Sequence, residues 1–522
     1  MTVNCSPNRG HGGSLIFAVI CVSEVNRRTL LCNGAFLMRS VMQICFCSVL
    51  VVAASFQRWQ TIELQCAGID FVQFRLTGLH VAVHRGCDVY SSEVRGEILS
   101  SEWQTAQLVP GSRLFTAVSF RHSRSWETYS SPFLYSLFAL GKGGGSGERR
   151  SGSQVVADRY ETELRTWHAM SLLGSAAGLL GIGWALQCSW SVCLLSAAVL
   201  LGFSPIRSDL VVANVNQIQL GMVGVFVGMV GLSRRRQEGR ANLVVQQPLN
   251  HRGKPGGVGM FACWGCLEGA WLGVCLAFKP SLIWVVLLWA AYLVVQGIRL
   301  DGAHGFGARL RPCMLYACGG VIGASVAVLF SLHYFPPVAW LDWVNAVRAL
   351  PDDIIQTSQG NFSPIYYAGH SLGVPSTLLL FAGPVLALAV AVVLSRSARN
   401  RTGRDEPEAS QEVSEWLPWI IAGLQIYLLT SYLVWFHYFV LSLPALLWCV
   451  WLGIRSCSRV ERWLFFAIAV WCFVLLGFRP LDALIASKHE EHCVRCFLAN
   501  VLLLVTLVIP PGRQCQTTAL SR

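Results

Sequence analysis

Charge is what this chain has least of. Only 13% of its 522 residues are Asp, Glu, Lys or Arg, against about 25% in a soluble globular protein. So little charge beside 54% hydrophobic residues excludes a disordered or collagen-like chain and an ordinary soluble domain. No solenoid repeat is visible. The glycine run at 141–147 lacks the order of a phosphate-binding loop and reads as linker. The 20 cysteines form no disulfide framework. Many of them, such as Cys45, Cys188, Cys275 and Cys449, sit in apolar stretches, where the thiol behaves as a small hydrophobe.

What remains is a series of apolar stretches, each near the roughly 20 residues a membrane-spanning helix needs. They fall near 40–56, 167–187, 188–203, 209–232, 260–278, 281–298, 313–332, 374–395, 416–434, 438–454, 463–479 and 496–511. The fold class expected is an all-α polytopic membrane protein with about 10–12 transmembrane helices. A shorter piece, 132–140 (PFLYSLFAL), reads as re-entrant or interfacial.

The net charge of +12 then reads as topology rather than nucleic-acid binding, because cytoplasmic loops collect Lys and Arg. With the N-terminus inside, the inside segments hold 22 Lys and Arg and the short outside loops six. The other twelve lie in one long outside segment, 57–166, which is exempt from the rule. The organisation expected is a cytoplasmic tail at 1–35, one transmembrane domain over 36–511 and a cytoplasmic tail at 512–522. Within that domain, 57–166 is a long outer loop with surface helices and a Gly-rich linker at 141–153. Residues 233–257 and 396–415 are cytoplasmic linkers.

Five polar groups converge on the outer side under this topology. They are Gly68-Ile69-Asp70-Phe71, Ser208-Asp209 with Asn214 to Gln219, Phe278-Lys279-Pro280, Gln359 to Ser363, and Trp435-Phe436-His437-Tyr438. Ionisable and amide groups at membrane depth are costly and mark functional sites by default. Each also has a plainer reading. Asp70 suits the N-cap of an amphipathic surface helix, FVQFRLTGLHVAVHRGCDVY. Asn216 and Gln217 suit hydrogen bonding between helices. Lys279 suits snorkelling to the interface, and His437 an aromatic belt. Asp88 reads as a turn residue.

The ordered segments GIDFVQFRLTGLHVAVHRGCDVY, YSSPFLYSLFAL, ANVNQIQLGMVGVFVGMVGL, GVCLAFKPSLIWVVLLW, QGNFSPIYYAGHSLG and SYLVWFHYFVLSLPALL resemble glycosyltransferase family 87. That family comprises polytopic bacterial enzymes of the GT-C fold, including polyprenyl-phosphate-mannose-dependent mannosyltransferases. The resemblance covers roughly residues 40–480. It implies a GT-C-like bundle and a catalytic aspartate at Asp70. It also matches the family's asparagine-rich span to Asn214, Asn216 and Gln217, and its lysine-proline to Lys279-Pro280. The glycine-asparagine-x-serine falls on Gly360, Asn361 and Ser363, and the tryptophan-x-histidine on Trp435 and His437.

The chemistry expected follows. Asp70 acts as general base on an acceptor hydroxyl. Lys279 and His437, with Arg207, neutralise the departing phosphate. Asn214, Asn216, Gln217, Asn361, Ser363 and Trp435 form the sugar and acceptor pocket. The partners implied are a polyprenyl-phosphate-linked sugar donor, a lipid or glycan acceptor and membrane lipid, with no nucleic acid. No metal or cofactor is called for. The location implied is a bacterial inner membrane with the active site facing the periplasm. The alternative class is a transporter or flippase of a lipid-linked sugar.

Two motifs compete weakly. Gly369-His370-Ser371-Leu372-Gly373 fits a nucleophile elbow, which needs a strand before it and a helix after it. His489-Glu490-Glu491-His492-Cys493-Val494-Arg495-Cys496 carries metal-capable groups without a metalloprotease spacing.

Overall fold

A computed structural model describes Val49 and residues 67–122, 128–140, 153–189, 192–194, 196, 200, 202–246, 258–299, 306–349, 361–401, 408–456, 458–477 and 489–509. The first apolar stretch (40–56, apart from Val49), both tails, the Gly-rich run 141–152 and Gly360 lie outside the described residues. Stretch 188–203 is described only in places.

The helices are, in order, α1 (Ile69–Val83), α2 (Ser92–Gln107), α3 (Arg113–His122), α4 (Pro132–Ala139), α5 (Ser153–Ala185), α6 (Ser204–Val212), α7 (Asn216–Gln246) and α8 (Val258–Phe278). A 3-10 turn, Pro280–Leu282, leads into α9 (Ile283–Arg299), followed by α10 (Phe306–Ser331), α11 (Ala339–Arg348), α12 (Pro364–Ser371), α13 (Ser376–Arg401) and α14 (Glu408–Thr430). A second 3-10 segment, Phe436–Ser442, precedes α15 (Leu443–Arg455), α16 (Arg459–Gly477) and α17 (His489–Val508). Among the described residues there is no strand, only an isolated bridge between Asn361 and Trp435. Among the described residues, six helices are long and apolar enough to cross a membrane: Asn216–Arg236, Pro280–Ile298, Leu310–Ser331, Ser376–Ser397, Phe436–Arg455 and Arg459–Gly477. Cys263–Phe278 and His492–Val508 are shorter apolar helices. The protein is an all-α polytopic membrane protein.

The chain builds two packed regions. One core lies within the bundle, around Trp289, Trp416, Trp419 and Trp448. The other lies in a cap of α1–α4, the first turns of α5, and α11, around Phe71, Tyr135, Tyr160 and Phe335. At the end of α7 the cationic side chains lie over aromatic rings: Arg235 is 4.0 Å from the Trp184 ring centroid and Arg236 5.0 Å from that of Trp264. Paired Arg and Trp of this kind suit a membrane–water boundary.

Two helix pairs pack backbone to backbone through glycines. On α5, Gly174 and Gly178 face Gly221 and Gly224 of α7; a methyl on Gly178 would lie 2.7 Å from the Leu220 carbonyl oxygen. On α8, Gly269 and Gly273 face α10, where a methyl on either would overlap the carbonyl of Tyr316 or Gly320. Gly319 and Gly323 of α10 are equally tight against Cys266 and Ala270. Small residues let membrane helices approach this closely without a hydrophobic drive between them.

Several sequence expectations change. The stretch 209–232 is not one span. It breaks at Ala213, which takes a left-handed φ of 56°, so the crossing helix starts at Asn216. Residues 71–90 do not form an amphipathic surface helix. Helix α1 ends at Val83, and every residue from Phe71 to Gly78 is buried. Its one buried cation is paired inside: Arg75 Nε donates to Glu163 at 2.5 Å. Residues 153–185, divided by the sequence between a polar segment and an apolar stretch, form one 33-residue helix, α5. Most of the linkers at 233–257 and 396–415 is helical, because α7 runs to Gln246, α13 to Arg401, and α14 starts at Glu408.

Candidate functional site

The site begins with a glycine in the left-handed region, where any side chain would be strained. Gly68 caps α1 with φ 69°, and a methyl there would meet Leu164 at 2.6 Å. Tyr160 Oη donates to the Ala67 carbonyl at 2.6 Å. The next turn presents Asp70, whose carboxylate sits favourably at the positive end of the helix. Asp70 is not the N-cap; it lies in the first turn of a helix capped by Gly68.

Both carboxylate oxygens of Asp70 are engaged. Arg121 Nη2 of α3 donates to Oδ1 at 2.5 Å, and Arg121 Nε donates to the Ile69 carbonyl at 3.1 Å. Asn214 Nδ2 donates to Oδ2 at 2.6 Å. Asn214 lies in the break between α6 and α7, where its own Oδ1 accepts from the Val215 N–H at 2.6 Å. That bond and the one from the Gln217 N–H to Asp209 replace the helical ladder locally, which is why the span breaks there. Asn216 Nδ2 donates to Asp209 Oδ1 at 2.8 Å, and the Gln217 N–H donates to Asp209 Oδ2 at 3.3 Å.

The other side of Asn216 faces a cation. Lys279 Nζ donates to Asn216 Oδ1 at 2.5 Å and lies 4.3 Å from the Tyr438 ring centroid. Lys279 is held in the turn between α8 and α9, where Pro280 opens the 3-10 segment. Burial pulls its ammonium down to about 8, against the opposing pull of Asp209 and Asp70. Burial likewise pushes the Asp209 carboxyl up to about 7. Asn216 Nδ2 also donates to Asn214 Oδ1 at 3.4 Å, so Asp70 and Lys279, 209 positions apart in sequence, are joined through two asparagine amides.

These groups border a cavity of about 820 Å³ at the junction of cap and bundle, within the usual range for a small-molecule site. Asp70, Asn214, Lys279, Trp435 and His437 all line it. His437 is 7% exposed, and its Nε2 has no partner among the described residues. Trp343, Tyr427 and Tyr438 add aromatic wall.

Other expected site residues lie elsewhere. Asn216 and Gln217 are fully buried behind the lining. Ser175 Oγ donates to Gln217 Oε1 at 2.7 Å, so this amide ties α5 to α7. Asn361 and Ser363 do not line the cavity either, although Phe362 between them does. Asn361 Oδ1 accepts from the N–H groups of Ser363 and Val434, at 3.0 and 2.9 Å, and its Nδ2 donates to the Tyr432 carbonyl at 3.1 Å. Ser363 caps α12 by accepting from the Tyr366 N–H at 3.0 Å. The two residues pin the strand-like stretch 361–363 to 431–435 and so hold Trp435 and His437 in the wall. Arg207 is not among the lining residues; Ser208 beside it is. The cations that do line the cavity with Lys279 are Arg121 and Arg348, neither singled out by the sequence. Arg121 was hidden in a polar segment where a charge is unremarkable.

The competing motifs are settled by their surroundings. Ser371 ends α12, with no strand before it among the described residues, so the geometry of a nucleophile elbow is absent. Among the described residues no group of three His, Cys, Asp or Glu could hold a metal. His492 instead contacts Arg495 at 2.7 Å. Asp88 is a turn residue, accepting from the Tyr90 N–H at 3.0 Å. The chain matches no known protein family, no curated protein and no solved structure.

Proposed function

We propose that this protein is a membrane glycosyltransferase of the hexosyltransferase class. It moves a hexose, mannose by the family resemblance, from a polyprenyl-phosphate carrier to a lipid or glycan acceptor. The reading rests chiefly on one observation: a carboxylate, a lysine and a histidine whose Nε2 has no hydrogen-bond partner among the described residues, from three distant stretches, border one cavity between cap and bundle. A lipid-linked sugar cannot leave the bilayer, so its transferase needs a cavity at the membrane boundary.

The acceptor hydroxyl gives its proton to Asp70 as its oxygen bonds to the anomeric carbon. The bond from that carbon to the phosphate oxygen breaks, and the configuration inverts. The leaving phosphate needs no proton because cations hold it. Lys279 and Arg348 supply the charge, in place of Arg207, and His437 supplies a hydrogen bond. One carboxylate therefore suffices, unlike the pair a glycosidase uses. Arg121 and Asn214 keep Asp70 aimed, and Trp435 and Trp343 give the sugar an apolar face. The site faces the periplasm of a bacterial inner membrane.

The test is Asp70→Asn in membranes supplied with a radiolabelled polyprenyl-phosphate hexose. Loss of a general base lowers transfer by about 10² to 10⁴-fold. Transfer at the wild-type rate by a variant that elutes as a single folded species would remove Asp70 from this role. Movement of intact lipid-linked sugar across vesicles, with no transfer, would instead make the protein a flippase.

A further inference from the structure

We propose that Asp209, which does not line the cavity, is a positioning residue that holds Lys279 charged and aimed into the cavity by acting through Asn216. An asparagine amide has one accepting and one donating end. Here the donating end is fixed on Asp209 at 2.8 Å, with a longer bond to Asn214 Oδ1 at 3.4 Å, which leaves the accepting end for Lys279 Nζ at 2.5 Å. Without a carboxylate at 209 the amide keeps only the longer bond to Asn214, and a flipped amide would present N–H to an ammonium. Asp209 is itself fully buried and receives a second bond from the Gln217 N–H at 3.3 Å. Its negative charge is therefore fixed in place behind the lining. Such a carboxylate costs free energy to bury, and the structure offers Lys279 as its compensating charge.

The charged and titratable groups facing Lys279 are Asp209 of α6, Asp70 of α1, and His437 and Tyr438 of the 3-10 segment. Arg121 and Arg348 share the cavity. Of these, Asp209 and Asp70 favour the ammonium, and Asp70 is already shared with Arg121. Asp209 is thus the carboxylate most committed to Lys279. This inference rests on the reading of the cavity as a lipid-phosphate site.

The experiment titrates full-length protein in detergent with geranyl phosphate, from pH 7 to 9.5, by calorimetry. The second ionisation of a phosphate monoester lies near pH 6, so the probe's charge is constant and any pH dependence belongs to the protein. Wild-type affinity should fall as pH rises through about 8, where burial places Lys279. In Asp209→Asn the fall should move down by about one pH unit, since a nearby opposite charge has been removed. Asn216→Ala should shift it in the same direction, and the double variant no further. Adding Lys279→Arg to Asp209→Asn should flatten the curve, because guanidinium stays protonated over this range.

An Asp209→Asn curve that superimposes on the wild type overturns the proposal. So does a uniform loss at every pH with no shift, which marks a purely structural role. Loss of the fold in both Asp209→Asn and Asn216→Ala has the same meaning. Failure of the wild type to prefer geranyl phosphate over geraniol overturns the lipid-phosphate reading itself.

Discussion

Changing Gly273 to Ala should force α8 and α10 apart and move the site with them. A methyl on Gly273 has no room against the Gly320 carbonyl of α10. Real Cβ atoms keep at least 3.0 Å from such an atom, so the backbones must separate. Overpacking of this kind costs about 1–3 kcal/mol. The loss falls heavily on α10, because only 17% of its span, Leu310–Ser331, is buried in the protein. Its hold on the bundle is largely this seam. The control lies on the same helix: a methyl on Gly265 would find its nearest neighbour, Leu315 Cβ, at 3.5 Å. Gly265→Ala should therefore gain up to about 1 kcal/mol of helix propensity. Gly273→Ala shares that gain, so the two variants should differ by the overpacking cost, about 1–3 kcal/mol, read as melting of the purified protein in detergent. Because α8 runs on into Lys279, six positions later, Gly273→Ala should also weaken geranyl phosphate binding. If Gly273→Ala melts at or above Gly265→Ala, the close seam is wrong.

Two further substitutions test the walls. Asn361→Ala removes three hydrogen bonds and leaves the buried N–H groups of Ser363 and Val434 unpaired. At about 1 kcal/mol per bond it should cost about 3 kcal/mol of stability, seen as an earlier melt, and unchanged melting would show that these bonds carry no weight. Arg121→Gln takes from Asp70 a cation at 2.5 Å whose side chain is 7% exposed. Breaking a buried pair costs about 3–5 kcal/mol, reduced here to about 2 kcal/mol because Asp70 keeps Asn214 and opens to the cavity. In a double-mutant cycle with Asp70→Asn the costs should be clearly less than additive; simple additivity would show that the pair is not coupled.

The sequence makes the long bundle helices legible because a bilayer demands about 20 apolar residues with every backbone group satisfied internally. Stretches such as 281–298 and 374–395 answer that demand by composition alone. The break at Ala213 is invisible to composition, because Asp209 and Asn214 make it with side-chain bonds to nearby N–H groups while the run around them stays apolar. Helix α1 looks like a surface helix because its Gln73, Arg75 and Thr77 are polar. The partner that lets Arg75 be buried, Glu163, is 88 positions away, beyond any periodicity.

The same divide runs through the site. Asp70, Asn214, Lys279, Trp435 and His437 stand out because polar groups are rare and costly where apolar runs end. Asn361 and Ser363 stand out for that reason too, yet they serve the backbone. A sequence marks an expensive polar side chain without revealing which way it points. Arg207 lies outside the cavity lining; counting Lys and Arg assigns a side of the membrane and no direction.

Helix α5 touches the site at successive levels of one face. Tyr160 holds the carbonyl before Gly68, Trp167 Nε1 donates to the Ala213 carbonyl at 3.1 Å, His168 meets the Leu210 carbonyl at 2.9 Å, and Ser175 holds Gln217. A single rod therefore carries both ends of the Asp70–Asn214 contact, like two jaws bolted to one rail. Flexing that widens the opposite wall, where α11 and the 431–438 stretch stand on other supports, leaves the gauge between those jaws unaltered. The alignment of Asp70 with Asn214 survives breathing of the chamber.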